Sequence, residues 1–130
     1  MTPAPDDRFR RSVERLTTLL TYWTPPRFSA AASPLIGEAV TALCSTSAAG
    51  VDGVEPGSSV ADQLHVVAQV LADLGADAEG RPRRPLPPLT EPAVLADQFT
   101  VLGHDLLAAG VVAEALDRLT DRLDALRAAL

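Results

Sequence analysis

The fold is decided by residues 61–75, which read ADQLHVVAQVLADLG. Apolar residues in and just before this stretch recur at spacings of 4, 3, 4 and 3, which place them on one stripe of an α-helix. Val66 and Val70 widen the stripe, so we expect this helix to be central and covered on more than one side. The stripe itself consists of Val60, Leu64, Val67, Leu71 and Leu74.

A related stretch, ADQFTVLGHDLLAAG, begins 35 positions later and occupies residues 96–110. The two stretches share the Ala-Asp-Gln opening, one valine, one leucine and the closing glycine. We therefore predict an internal repeat; the alternative is a chance similarity between two helix starts. Gln63 and Gln98 take equivalent places, either as polar helix-start residues or as hydrogen-bonding partners across a twofold axis.

The same spacing predicts helices on both sides of these stretches. A first helix begins near Pro5 and ends before Pro25, and a second follows Ser33, which is expected to cap it. Ser58 or Ser59 is expected to cap the helix that contains residues 61–75. Residues 95–109 and 112–130 each carry an apolar stripe, but the phase slips at Gly110. This slip predicts either one kinked helix or two helices. Residues 1–130 should therefore form one all-α domain, a bundle of four to five helices without a sheet.

Two proline-rich connectors, residues 24–33 and 76–90, are predicted to be extended chain. At about 3.1 Å per residue, residues 76–90 reach roughly 45 Å, about twice the length of the helix before them. The chain can therefore return to the same end of the bundle, which allows the two repeat helices to run parallel. This segment would form a structural strap across the bundle, with Leu86 and Leu89 tucked in; a docking peptide is the alternative.

The charges are unevenly distributed along a chain of net charge -6. Residues 1–27 are rich in arginine, residues 28–80 carry seven acids and no base, and the positive charges of the whole chain are arginine without lysine. An acidic chain repels phosphate backbones, which argues against a nucleic-acid partner. The basic first segment is expected to face the acidic middle of its own fold or of a partner.

Motifs for catalysis or metal binding are absent from the sequence, so we expect no cofactor and no metal. Cys44 lies in an apolar helical context and is expected to be a buried small residue. His65, one helical turn after Asp62, and His104, beside Gly103, are weak pocket candidates. Gly103 could also let another helix approach closely. An enzyme or small-ligand carrier with a histidine-containing pocket between helices is therefore the alternative function.

Two groups of residues are candidates for partner binding. The first is Trp23, Arg27 and Phe28, because aromatic residues and arginine anchor interfaces. The second is the apolar stripe of the last segment, which a second copy of the chain would cover in a homodimer. In the competing account, the tail folds back onto the first helix and its acids meet arginines there. The stripe comprises Leu116, Leu119, Leu123 and Leu126.

The leading functional hypothesis is a non-catalytic interaction or scaffold protein that acts through helix faces and associates with itself. No apolar run approaches the roughly 20 residues that a membrane span needs. The first residues lack the basic start and apolar stretch of a signal peptide. A soluble, cytoplasmic location is therefore expected.

Overall fold

The computed structural model describes residues 3–46 and 57–130, and within these ranges the protein is all α-helix without a strand. The predicted fold class is therefore confirmed. Five of the helices are long and one, α2, is a short turn of helix. The helices are α1 (Pro5–Thr21), α2 (Pro25–Ser29), α3 (Pro34–Cys44), α4 (Val60–Glu79), α5 (Val94–Ala108) and α6 (Ala113–Ala129).

The residues at the helix starts explain where several of the helices begin. Proline opens α1, α2 and α3, where its missing N–H costs no helical hydrogen bond. Ser33 and Ser59 cap α3 and α4 by accepting the backbone N–H of Ile36 and Asp62. These caps explain why the two helices begin where the sequence predicted.

The five long helices of the described chain form a closed ring, in which each helix packs against two others. In order around the ring they are α1, α6, α3, α4 and α5, and α5 returns to α1. Their apolar stripes meet in one core, and α2 packs onto α4 from outside the ring. Because the ring closes, each stripe is covered by neighbours of the same chain.

Helix α4 has the widest buried surface, as its sequence predicted. Leu64, Val67 and Val70 are fully buried, and small residues such as Ala68 and Gly75 are buried as well. It contacts α3 on one side, α5 on the other, and α2 in addition. The prediction that this helix is covered on more than one side is confirmed.

The phase slip at Gly110 is a break between two helices. Helix α5 ends at Ala108, Gly110 takes a φ of 76°, and α6 begins at Ala113. A left-handed backbone at this point suits glycine, because it has no Cβ to clash with the carbonyl oxygen. Of the two alternatives, the structure therefore has two helices.

The predicted boundaries of both connectors need correction. Residues 24–33 are not wholly extended, because Pro25–Ser29 form α2 with proline in its first turn. Residues 76–79 belong to α4, which ends at Gly80 with a φ of 68°. The N–H of Arg81 donates to the carbonyl of Ala76, which completes a Schellman-type end. The apolar stripe stopped at Leu74, so it did not reveal this last turn.

Residues 81–89 form the predicted strap, which we call the proline strap. Gln69 holds it: the amide nitrogen donates to the carbonyl of Arg84, and the amide oxygen accepts the N–H of Leu86 at 2.7 Å. Leu86 and Leu89 pack against the core. The strap runs back along α4, since Pro87 lies beside His65 near the start of that helix. Helix α5 then runs parallel to α4, as predicted.

Loss of the Gln69 contacts should destabilise the fold. Gln69→Leu leaves the N–H of Leu86, the carbonyl of Arg84 and a carboxylate oxygen of buried Asp73 without this partner, which costs about 1–3 kcal/mol. Gln98→Leu is the matched control, because the Gln98 side chain has no hydrogen bond within the described chain and its Oε1 is buried. Urea unfolding should show the loss at Gln69 alone. Equal losses at both positions would contradict the assigned role of Gln69.

Candidate functional site

The apolar stripe of α6 lies in the core of the single chain. Helices α1 and α3 cover it, and each of its four leucines is at most 2% exposed. These side chains are therefore not available to a second copy of the folded chain, and the competing account, in which the tail folds back, describes the structure. The residues concerned are Leu116, Leu119, Leu123 and Leu126.

Polar contacts fix the tail against the first helix. Arg8 donates to Asp117 at 2.7 Å and to Asp121 at 2.8 Å, and Ser12 donates to Asp124. The hydrogen bond to Asp121, supported by Asp117, raises the pKa of Arg8. Arg8 thus meets acids of α6 rather than the acidic middle of the chain. Because successive residues of α1 meet successive residues of α6, the two helices run in the same direction.

The homodimer stays a prediction, but without this stripe as its contact. The sequence argument for a second copy was an apolar stripe that four helices would leave uncovered. The ring has five long helices, and the extra helix supplies the missing cover. A dimer would have to use another surface.

The aromatic segment predicted to bind a partner lies where α1 ends and α2 begins. The rings of Trp23 and Phe28 are 5.1 Å apart and tilted by 60°. The guanidinium of Arg27 lies 4.4 Å from the centre of the Trp23 ring and donates to the backbone oxygen of Leu130. Phe28 is buried in the core, whereas Trp23 is half-buried and Arg27 is exposed. Phe28 therefore supports the surface that the other two form.

Trp23 and Arg27 line an open groove of about 710 Å³ between α1, the start of α2 and the end of α6. We call it the arginine groove. Its apolar lining comes from the end of α1 and the end of α6, and it includes Tyr22, which is 83% exposed. Tyrosine, tryptophan and arginine, which lie together here, are enriched at protein interfaces relative to the rest of a protein surface. The apolar and aromatic members are Leu19, Tyr22, Trp23 and Leu130.

The charge of the arginine groove is strongly positive. Four guanidinium groups line it against one side-chain carboxylate, that of Glu14, and one of them, Arg27, donates to Leu130 at the end of the sequence. Arg11, Arg15 and Arg127 have no ion pair or hydrogen bond to any described residue. Elsewhere on the described chain, Arg8 and Arg83 are paired with carboxylates, whereas the side chains of Arg84 and Arg118 also have no partner. The groove therefore gathers unpaired cations on a protein that is acidic overall.

Two N–H donors in the groove wall also lack an acceptor within the described chain. They are Nε1 of Trp23 and Nε of Arg127, and both are buried. A buried donor without an acceptor costs about 1–3 kcal/mol. Because both atoms are inaccessible to solvent, the feature that the open groove offers a partner is its unneutralised positive charge.

The two histidines do not share a pocket. His65 contacts the carbonyl of Pro87 through Nε2 at 3.1 Å and holds the proline strap. His104 is exposed beside a crevice of about 40 Å³, which also borders Glu14. A space of that volume holds about one water molecule and no substrate. Within the described residues, neither histidine therefore lies in an acid–base pocket of the kind that the alternative function requires.

The remaining polar candidates have structural surroundings. Cys44 is 8% exposed, and burial raises the pKa of its thiol, which disfavours the reactive thiolate. No group of His, Cys, Asp and Glu side chains suited to a metal occurs among the described residues. The Oε1 atoms of Gln63 and Gln98 are buried without a partner, so the hydrogen bond predicted between equivalent glutamines does not form within the chain. The internal repeat itself stays a prediction.

The sequence predicted Trp23 and Arg27 as partner-binding residues, but the other three arginines of the groove were not among the candidates. A signal was present, because Arg11, Arg15, Thr18 and Tyr22 follow one another at spacings of 4, 3 and 4. This second stripe of α1 lies apart from the apolar one and lines the groove. Arg127 carried no such signal, since its place depends on how α6 packs against α1.

No helix in the described ranges combines the length and the apolar character needed to cross a membrane. Comparisons with models of known protein families, with curated proteins and with solved structures found no match for this chain, so its function has to be inferred from its own residues.

Proposed function

We propose that the protein is a non-catalytic interaction protein that binds another polypeptide through the arginine groove. The observation that supports this proposal most is the presence of exposed Tyr22, half-buried Trp23 and unpaired arginines on one open surface. Tyrosine, tryptophan and arginine are the residues that most often dominate the binding energy of protein interfaces. Other exposed apolar residues, such as Leu35, do not line this groove.

The lining residues suit binding better than catalysis. General acid–base work needs groups whose pKa values differ and which converge on a reacting atom. Glu14 carries the one side-chain carboxylate among the groove residues, and no histidine or second acidic side chain lies beside it in the groove. The arginines remain positively charged throughout the physiological range. The groove can therefore orient and neutralise a partner, and no reaction is assigned to it.

Photocrosslinking tests this proposal. Tyr22 is replaced by the photoreactive residue p-benzoylphenylalanine in cells that express the chain, and Leu35 is replaced in the same way as the control, since it is 65% exposed outside the groove. We expect one defined protein adduct at position 22 and none of that kind at position 35. The captured protein is then purified separately and its binding measured by calorimetry, with Trp23→Ala expected to weaken it at least tenfold.

Two results would contradict the proposal. One is the same set of adducts at both positions, which would indicate non-specific contact. The other is a purified candidate that binds wild type and Trp23→Ala with equal affinity, because the groove would then not be the contact.

A further inference from the structure

We infer that the segment bound in the arginine groove is an acidic peptide segment with an apolar side chain at one end. This inference rests on the proposed function and adds the chemistry of the partner. It is supported by the charge of the groove, by the order of its lining residues and by the donors that have no acceptor.

The charge of the groove selects the sign of the partner. The side chains of Arg11 and Arg15 are exposed and unpaired, and Arg127 shares their surface, while Glu14 provides the one opposing side-chain carboxylate. The chain as a whole has a net charge of -6, so an acidic partner is repelled by most of the molecule. Such a partner gains favourable electrostatic energy at the groove, where several arginines lie together, and this directs its approach and its register.

The order of the lining residues sets the polarity of the segment. Arg11 and Arg15 lie on the earlier turns of α1, whereas Tyr22 and Trp23 lie at its end. From Arg11 to Tyr22 the helix rises about 16 Å at about 1.5 Å per residue. An extended peptide covers that distance with about five residues. Carboxylates should therefore lie at one end of the segment, and an apolar side chain against the aromatic end.

The donors in the wall favour the same chemistry. Carboxylate and peptide carbonyl oxygens are acceptors, and the guanidinium groups of Arg11 and Arg15 are exposed donors that have no acceptor in the described chain. A guanidinium group binds a carboxylate through two parallel hydrogen bonds. In a groove of about 710 Å³, a single inorganic ion would not form such paired bonds with several arginines at once. Nucleic acid is disfavoured, because the rest of the surface repels phosphates.

The fluorescence of Trp23 is the direct readout, because it is the one tryptophan in the sequence. The probe is a short peptide with blocked ends that consists of glutamates followed by leucines. We expect a saturable change in emission that weakens as salt is added, since exposed ion pairs are screened. The same peptide with lysines in place of glutamates should give no saturable change. Inorganic phosphate and an oligothymidine are the remaining probes.

Charge-neutral variants locate the binding. Arg11→Gln with Arg15→Gln should weaken binding of the glutamate peptide at least tenfold. The matched control is Arg84→Gln with Arg118→Gln, which removes the same charge from two arginines that lie outside the groove and have no side-chain partner in the described chain. The control should bind within about twofold of wild type, as expected when only distant charges change. Circular dichroism checks that both variants are folded.

Several outcomes would overturn the inference. They are an equal response to the glutamate and lysine peptides, a response to phosphate or oligothymidine stronger than that to the glutamate peptide, and equal losses in the two arginine variants. The proposed function is judged separately by crosslinking at position 22. If a captured protein binds the wild type and the Arg11 and Arg15 variant with equal affinity, the proposed function stands, but the partner segment is not acidic.

Discussion

Leu119→Arg combined with Leu123→Arg is expected to leave the chain unfolded at room temperature. These leucines are 2% and 1% exposed, and α1 and α3 cover the face of α6 on which they lie. An unpaired charge in such surroundings costs several kcal/mol. Because the whole domain is stabilised by about 5–15 kcal/mol, two such charges remove most or all of that stability. The far-UV dichroism signal should lose its helical minima and show no cooperative melt.

The matched control places the same charges on exposed apolar positions. Leu35 is 65% exposed and Val101 is 58% exposed, so Leu35→Arg with Val101→Arg should change the free energy of unfolding by at most about 0.5 kcal/mol per site. A folded monomer from the Leu119 and Leu123 variant would contradict this account. It would show that the stripe of α6 is a surface, as a homodimer built on these residues requires.

Gly103→Leu is expected to destabilise the protein by about 1–3 kcal/mol through overpacking, although leucine is the better helix former by nearly 1 kcal/mol. Gly103 is the buried point at which α5 approaches α1. A Cβ added there would lie 3.2 Å from Cγ1 and 3.3 Å from Cγ2 of Val13. The larger side chain would have to push the two helices apart. A denaturant titration gives the change in free energy.

Gly37 offers the matched control for this substitution. It lies within α3, and a Cβ added there meets nothing within 4 Å. Gly37→Leu should therefore be neutral or stabilising by up to about 1 kcal/mol. Val13→Ala should partly offset Gly103→Leu, because it removes the carbons that the new side chain meets. If Gly103→Leu were as stable as Gly37→Leu, the close approach of α1 and α5 would be refuted.

The sequence predicted the features that depend on local chemistry. The 4-3 spacing located the long helices, Ser33 and Ser59 marked two helix starts, and the phase slip at Gly110 marked the break before α6. The suggestion that Gly103 allows a close helix approach was also right. Each of these signals lies within a few residues of the feature that it produces, so it can be found without knowledge of the fold.

Features that depend on distant segments were harder to predict. The stripe of α6 is the clearest case, because its sequence is the same whether a second chain or α1 covers it. That α1 rather than a second chain covers the stripe follows from the closed ring of five long helices. Within this ring, Arg8 of α1 binds Asp117 and Asp121 of α6. The arginine groove depends on the same packing, since α6 brings Arg127 beside the polar stripe of α1.

The most direct test of the central claim, that the groove arginines hold a protein partner, combines the crosslinker at position 22 with the two arginine pairs. The measurement is the yield of the protein adduct in cells that express each variant. We predict that Arg11→Gln with Arg15→Gln abolishes most of the adduct, while Arg84→Gln with Arg118→Gln leaves its yield unchanged. An undiminished adduct in the Arg11 and Arg15 variant, with the chain folded, would contradict the claim.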